Sequence, residues 1–226
     1  MKKRVISLSL AVLLALLVLP VGSTAGGNLS NFTAVRTYTP GLFADVGDEW
    51  FAEYVQKAYE FGLIDGTSAT TYSPKENLTI AQAIKLASCL HSIYYTGTAG
   101  SFSPDTPWYQ PYVDYALSNG IISSPYPDYN VNATRAEFAV ILAKALPDDA
   151  LTAINTISNN QIPDVLISDP YGPSVYKLYR AGVLTGSDSD GTFYPDSYNP
   201  RRRRGDYRPH GRPVPAAKGL AAAAGA

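Results

Sequence analysis

The sequence predicts an all-α protein made of three helix-loop-helix repeats. Three stretches of the chain match one another, and in each a glycine stands twelve residues after the residue that opens the first helix. Apolar residues recur at helical spacing before each glycine, which is typical of an amphipathic helix. A match across three copies indicates internal duplication, because one unit of this size cannot bury its own apolar face. The three pairs are Trp50 with Gly62, Trp108 with Gly120, and Pro170 with Gly182.

The chain begins with a segment typical of export. Three basic residues precede an apolar run over residues 5–21, and small residues follow it. This pattern predicts a cleaved secretory signal peptide over residues 1–25, rather than a retained membrane anchor. The protein is therefore expected to be secreted, with no membrane contact after cleavage. Residues 26–41 are polar and lack periodicity, so they are predicted to form a linker.

Charge is unevenly distributed along a chain whose formal net charge is −1. Between Gly26 and Asp196 there are eight basic and eighteen acidic residues, whereas the end of the chain from Ser197 is basic. An acidic body argues against nucleic acid as a partner, since phosphate backbones select basic surfaces. An anionic partner would have to be recognised by a local site rather than by bulk charge.

The sequence lacks the patterns that catalysis or metal binding would need. Cys89 is the only cysteine, which excludes an intramolecular disulfide and a thiolate metal cluster. His91 stands two residues away in a helical stretch, where the two side chains point to different faces. The stretch from Asp188 to Gly191 lacks the later oxygen ligands of a calcium loop and is predicted to be a turn. No catalytic residue, metal or cofactor is therefore predicted.

The first helix of each repeat is predicted from its apolar face and from the glycine that follows. Gly62 is well placed to end the first of these helices in a left-handed conformation. Trp50 and Trp108 open two of the helices, and a tryptophan at such a position is more typical of a core than of a ligand platform. In the first copy the apolar face consists of Tyr54, Val55, Ala58 and Phe61.

The second helix is predicted from two capping boxes. Thr79 pairs with Gln82, and Thr134 pairs with Glu137, each just before an apolar run at helical spacing. Arg135 is unusual at the first helical position, because the helix dipole is positive there and backbone N–H groups are unpaired. A cation at this point is either solvated or part of an anion-binding site. Local sequence leaves both interpretations open.

The third repeat follows the pattern as far as Phe193-Tyr-Pro195. A capped amphipathic helix should come next, but the chain instead carries four consecutive arginines, scattered prolines and an Ala/Gly-rich end. Residues 201–226 are predicted to be a disordered basic tail, because they have no apolar face that could offset the entropy of ordering. A frameshift is one hypothesis for the origin of this tail.

Together these motifs resemble the S-layer homology family. The matching features are the opening Phe-x-Asp-Val, the Trp with its later Gly, the Gly-Thr or Gly-Ser turn, the Phe/Tyr-x-Pro element and Thr-Arg-Ala-Glu at 134–137. The resemblance covers residues 42–195 and gives repeats at 42–98 and 99–160, with a truncated third at 161–200. It implies repeats arranged about a pseudo-threefold axis, with one helix from each in a central bundle.

The resemblance also implies a location and a ligand. Members of the family lie at the cell surface and bind secondary cell-wall polysaccharide non-covalently, often in pyruvylated form. In the family the Arg of the motif contacts the acidic glycan, so one working groove is expected around Arg135. Ile80 fills the same slot in the first repeat, and Arg201 lies near it in the third. The site residues carried over are Thr134, Arg135, Glu137, Trp50, Trp108, Asp105, Asp164, Gly186 and Ser187.

Two other function classes compete with wall anchoring. A cell-wall-processing glycan hydrolase needs paired carboxylates, a Cys–His pair or a metal, and the sequence offers none of these patterns. An accessory S-layer structural protein needs an assembly domain, which the repeats do not supply. Glu137 and the three aspartates before the first helices, Asp45, Asp105 and Asp164, also have an interpretation as caps or Asx-turns. The sequence leaves self-association open.

Overall fold

A computed structural model describes residues 27–198, and this part of the chain is helical. A short 3-10 helix, Leu29–Asn31, precedes five α-helices. Within the described residues, extended pairing is limited to isolated bridges between Thr79 and Asn132 and between Thr134 and Tyr198. The all-α prediction is confirmed for this range. The helices are α1 Ala52–Glu60, α2 Ile80–Thr96, α3 Gln110–Ser118, α4 Arg135–Ala143 and α5 Gly172–Arg180.

The helices of neighbouring repeats pack directly on one another. Helix α2 contacts both α3 and α4, and α4 contacts α5. One cluster of buried apolar side chains runs through all three repeats, and a smaller cluster around Phe43 lies in the first repeat. None of the helices between residues 27 and 198 is long and apolar enough to cross a bilayer. The predicted signal peptide and basic tail lie outside the described residues.

The first helix of every repeat ends in the same way. Gly62, Gly120 and Gly182 have φ of 73°, 69° and 70°, the left-handed conformation predicted for Gly62. The residue after each glycine donates its backbone N–H to a carbonyl in the last turn of the helix, and the glycine donates to a second one. This is the Schellman motif, which satisfies carbonyls that a helix end otherwise leaves unpaired.

The opening tryptophans are exposed, so their interpretation as core residues is wrong. Trp50 is 43% and Trp108 is 47% exposed. Phe51, one residue later, is buried and lies on the same stripe as Val55. The predicted face holds for Val55 and fails for Tyr54, which is also exposed. The side of the helix that faces the core includes residues 51 and 55, one residue later than the opening tryptophan. The side chains at 50 and 54 therefore point outward.

Both predicted capping boxes are present. The Thr79 hydroxyl accepts the N–H of Gln82 while the Gln82 side chain accepts the N–H of Thr79, and Thr134 and Glu137 make the same reciprocal pair. A bonded side chain at each helix start satisfies one of the amides that lack partners within the helix. The caps fix where α2 and α4 begin, and thereby which residues stand at their first positions.

The next repeat supplies partners for the first two amides of each of these helices. Ile80 and Ala81 of α2 donate to the carbonyls of Val131 and Tyr129, at 3.0 and 2.9 Å. In α4, the amides of residues 135 and 136 donate to the carbonyls of residues 197 and 195, at 2.8 and 3.0 Å. The two interfaces between repeats therefore use one hydrogen-bond pattern.

The described part of the predicted linker is packed against the domain. Phe32 is 2% exposed and meets Phe61 edge to face, with the ring centroids 6.4 Å apart. The backbone N–H groups of Val35 and Arg36 both donate to the carbonyl of Glu60, the last residue of α1, at 2.8 and 3.1 Å. This segment is part of the first repeat rather than a tether.

A sequence signal for this segment exists. Residues 32–37, Phe-Thr-Ala-Val-Arg-Thr, correspond to residues 151–156, Leu-Thr-Ala-Ile-Asn-Thr, and each set starts eleven residues before the residue that opens its repeat. The structural role is also shared, because the amides of Ile154 and Asn155 donate to the last carbonyl of α5. Each segment is only six residues long, which is too short to show a helical period.

An aspartate clamps the Phe/Tyr-x-Pro element in the first and third repeats. The two carboxylate oxygens of Asp45 accept the N–H groups of Tyr72 and Ser73, at 2.8 and 2.7 Å. Ser73 has φ of 57°, an unfavourable conformation for a residue with a side chain. In the second repeat, whose loop is shorter, Asp105 accepts the adjacent N–H of Thr106 instead.

We expect Asp45→Ala to lower the free energy of unfolding by about 2 kcal/mol, because two backbone N–H groups lose a charged acceptor at a strained turn. The matched control is Asp105→Ala, which removes one exposed local bond and should change stability by less than about 0.5 kcal/mol. Urea unfolding followed by circular dichroism measures both. Equal losses in the two variants would show that the clamp does not hold the loop.

Candidate functional site

Arg135 is buried where the second and third repeats meet. Its side chain is 2% exposed although it occupies the first position of α4. The Nε group donates to the carbonyl oxygen of Phe193, and the guanidinium carbon lies 4.5 Å from the centroid of the Phe193 ring. The third repeat therefore holds the side chain from two directions, and the interpretation of Arg135 as a solvated residue is wrong.

The outer part of the same guanidinium has no hydrogen-bond acceptor among the described residues. Nη1 and Nη2 of Arg135 and the hydroxyl of Tyr179 are all buried and without a partner there. The Tyr179 hydroxyl is near enough to influence the charge of the guanidinium, yet the two groups do not meet hydrogen-bond geometry. The two outer guanidinium nitrogens and the neighbouring hydroxyl are therefore buried polar groups whose capacity to hydrogen-bond is not met by the described residues.

Burial shifts the proton affinity of both groups. It lowers the pKa of Arg135 to about 10, against the favourable influence of Tyr179 and Asp164. It also raises the pKa of the Tyr179 hydroxyl, although the nearby guanidinium acts in the opposite direction. At neutral pH the site consequently holds a charged guanidinium beside a neutral hydroxyl. Both groups can donate hydrogen bonds to an anion.

The helix start contributes little of the anion site expected from the sequence. The N–H of Arg135 donates to the carbonyl of Ser197, and the N–H of Ala136 donates to that of Pro195. The N–H of Glu137 donates to the hydroxyl of Thr134 at 3.2 Å. The expectation of unpaired amides beside Arg135 is wrong, because the neighbouring repeat and the cap use them. An anion at this place would therefore be bound by side chains rather than by backbone amides.

Asp164 holds the turn that carries Phe193. Its two oxygens accept the N–H groups of Phe193 and Tyr194, at 2.7 and 2.6 Å. This is the clamp that Asp45 makes in the first repeat, and Tyr194 matches Ser73 in its left-handed φ of 56°. Fixing this turn fixes the Phe193 carbonyl that accepts from Arg135, so Asp164 acts as a positioning residue.

Gly186 and Ser187 belong to the turn beside the clamp. Ser187 donates its N–H to the carbonyl of Thr192 at 2.8 Å. A Cβ on Gly186 would meet the Gly191 backbone at 2.4 Å, which explains the glycine. Asp188 accepts two backbone N–H groups and the Tyr194 hydroxyl, and the bonds from Thr192 hold its pKa at about 2. The prediction of a turn is confirmed, and residues 27–198 contain no cluster of metal-binding side chains.

The remaining predicted residues lie apart from the Arg135 cluster. Trp50 packs edge to face on Phe51, and Trp108 packs on Tyr109 and Tyr112. Asp105 is exposed and makes a local bond. In the first repeat Ile80, the counterpart of Arg135, is fully buried. Arg201 lies outside the described residues. The interface between the first two repeats thus has an apolar residue where the next interface has a cation.

Sequence reasoning missed Tyr179 and Phe193 as members of the site. Tyr179 lies in α5 at a position that corresponds to Tyr59 of α1, and it follows the apolar pattern of that helix. Phe193 belongs to the Phe/Tyr-x-Pro element of the third repeat. Neither position reveals that Arg135, more than forty residues earlier, would reach it. The partners of a buried side chain depend on how the repeats dock.

Comparison with known proteins agrees with this architecture. Residues 42–84, 102–139 and 161–198 match the model of the S-layer homology domain, and together they make up more than half of the chain. The chain is 29% identical to the surface-layer 125 kDa protein of Lysinibacillus sphaericus, over 51% of this chain and 11% of that protein. It is 30% identical to cell surface glycoprotein 1 of Acetivibrio thermocellus, over 63% of this chain and 6% of that protein.

The chain therefore corresponds to a small part of the relatives it matches. It spans about a tenth of the first and less of the second. Family and relatives together indicate a secreted protein of the cell surface. With three matching segments that cover most of the described repeats, the chain belongs to the S-layer homology family.

Proposed function

We propose that this chain anchors non-covalently to an anionic secondary cell-wall polysaccharide, and that Arg135 holds an acidic group of that polymer. The observation that supports the proposal is the buried set of donors without acceptors at Arg135 and Tyr179. A carboxylate, such as the one on a pyruvylated sugar, presents two oxygens that match the two Nη groups of a guanidinium. Family membership favours this class of ligand over a catalytic role.

The energetics favour a ligand at this place. A buried charged group that lacks acceptors costs free energy, because it has lost water without gaining another partner. A bound carboxylate would restore those bonds, and charge-assisted bonds contribute about 1.5–3 kcal/mol each. Because the guanidinium is 2% exposed, entry of the acid requires the interface between the repeats to open locally.

We further propose that the repeats, with borders near 42–98, 99–160 and 161–200, are arranged about a pseudo-threefold axis. Support comes from the interfaces, since α2 and α4 contact each other and each receives carbonyls from the next repeat in the same pattern. The exposure of Trp50 and Trp108 suits a secondary role in stacking on sugar rings.

The effect of Arg135 on protein stability can be measured separately from its effect on binding. We expect Arg135→Ile to unfold at the same or a higher temperature than the wild type, because it replaces an unsatisfied buried cation with an apolar side chain. The chain itself offers the precedent, since Ile80 is fully buried in the equivalent slot. Differential scanning calorimetry measures the change. A marked fall in melting temperature would show that the contacts of Arg135 with Phe193 stabilise the fold more than its burial costs.

The binding test uses cell-wall sacculi with and without their secondary polymer. Arg135→Ile should weaken binding to polymer-bearing sacculi by roughly one to two decades, as expected for loss of a charge-assisted contact. Arg135→Lys should restore binding in part, because lysine keeps the charge and lacks the planar fork. Binding by the wild type should fall as salt rises.

The matched control for binding is Lys144→Ala, which removes an exposed cation from the residue after α4. It should leave binding unchanged within about twofold, if local recognition rather than net charge governs attachment. Removal of pyruvyl groups from the polymer distinguishes that acid from others. If the Arg135→Ile variant folds normally and binds intact sacculi as tightly as the wild type does, the assignment of the site is refuted.

A further inference from the structure

A continuous run of six aromatic rings lies where helix α2 of the first repeat meets the second repeat. Successive ring centroids are 4.3 to 6.3 Å apart, and the run begins at an exposed tryptophan and ends at an exposed tyrosine. We call this set the aromatic ladder. Its members, in order, are Trp108, Tyr112, Phe102, Tyr115, His91 and Tyr95.

The middle of the ladder opens into a surface cleft. Phe102 and Tyr115 line a cleft of about 540 Å³, together with small polar residues. The one charged residue in its lining is Asp114, whose carboxylate accepts a bond from Gln110. The cleft is thus formed by partly exposed aromatic rings, serine hydroxyls and one carboxylate. The serines that line it are Ser101, Ser103 and Ser118.

The ladder is not a requirement of the fold, because the other repeats do not carry an aromatic ring at the position of Tyr115. Tyr115 lies five residues before the helix-ending glycine, where the first and third repeats carry Lys57 and Lys177. Phe43 and Ile162, which open those repeats as Phe102 opens the second, are buried, whereas Phe102 is partly exposed. The second repeat therefore exposes aromatic surface that its counterparts bury or replace.

The central rings of the ladder are held in place. The Tyr115 hydroxyl lies 2.9 Å from Nδ1 of His91, across the gap between α3 and α2. Lys85 stands over the ring of Tyr112 at 5.5 Å. Rings fixed in this way lose little conformational entropy on binding, and flat ligands gain from such surfaces. A row of fixed rings beside hydroxyl groups suits a ligand with apolar faces and polar edges.

We propose that this cleft is a second binding site, specific for a neutral β-linked sugar chain. The C–H faces of equatorially substituted sugars pack on aromatic rings, and their hydroxyls can bond to the serines and to Asp114. The cleft carries no cation and the body of the chain is acidic, so an acidic glycan is disfavoured here. The site is independent of Arg135 and goes beyond the anchoring proposed above.

Calorimetric titration of the secreted chain with cellotetraose and with the β-1,4-linked tetramer of N-acetylglucosamine tests the proposal. We expect saturable binding of at least one probe and a loss of roughly tenfold or more in Tyr115→Lys. That variant introduces the residue that the other repeats carry at this position, so the helix should still form. Tyr115→Phe should retain binding, since it keeps the ring.

The matched control is Leu166→Ala, an exposed apolar residue outside the ladder, and it should bind as the wild type does. Arg135→Ile should also leave the affinity for the neutral probes unchanged, which separates this site from the anchoring site. Equal binding by the wild type and Tyr115→Lys would overturn the proposal. So would the absence of saturation by both probes up to about 10 mM, or a self-association without sugar binding that Tyr115→Lys abolishes.

Discussion

The bonds between each second helix and the following repeat are the interaction on which the architecture depends. A helix that starts inside an interface exposes amides which neither its own turn nor water can satisfy. Here Tyr129 and Val131 supply the carbonyls for α2, and Pro195 and Ser197 supply those for α4. The capping boxes, the aspartate clamp and the left-handed glycines all help to hold the donors and acceptors in register. Small local motifs therefore determine how large units dock.

Local motifs are also what the sequence reveals best. The capping box at Thr134 and the helix end at Gly62 depend on residues within a few positions, so the sequence alone predicts them. The exposure of Trp50 depends on the exact phase of a nine-residue helix, which a shift of one residue changes. The burial of Arg135 depends on how the third repeat docks against the second. The periodicity of apolar residues in the chain does not predict which side chains meet across that interface.

One slot with two occupants shows how the repeats have diverged. Ile80 closes its interface with an apolar side chain, whereas Arg135 leaves a cation with unsatisfied donors in the equivalent interface. The apolar side chain favours folding, whereas a buried cation without acceptors costs stability, and under the proposed function that cation is the group that binds an acid. Of the two interfaces between described repeats, one holds such a cation. Under the proposed function, these repeats would therefore gain avidity for a repetitive polymer from several copies side by side.

The packing of residues 28–36 changes where this module begins. A version transplanted onto another protein from Leu42 onward would keep every residue in the matched segments and still lose Phe32 from the core. Phe61 would become uncovered, and the final carbonyl of α1 would lose both of its donors. Such a fragment would expose a new apolar patch at its N-terminal end, and exposed apolar patches promote aggregation. The transplantable unit starts at Asn28, ahead of the border that family motifs suggest.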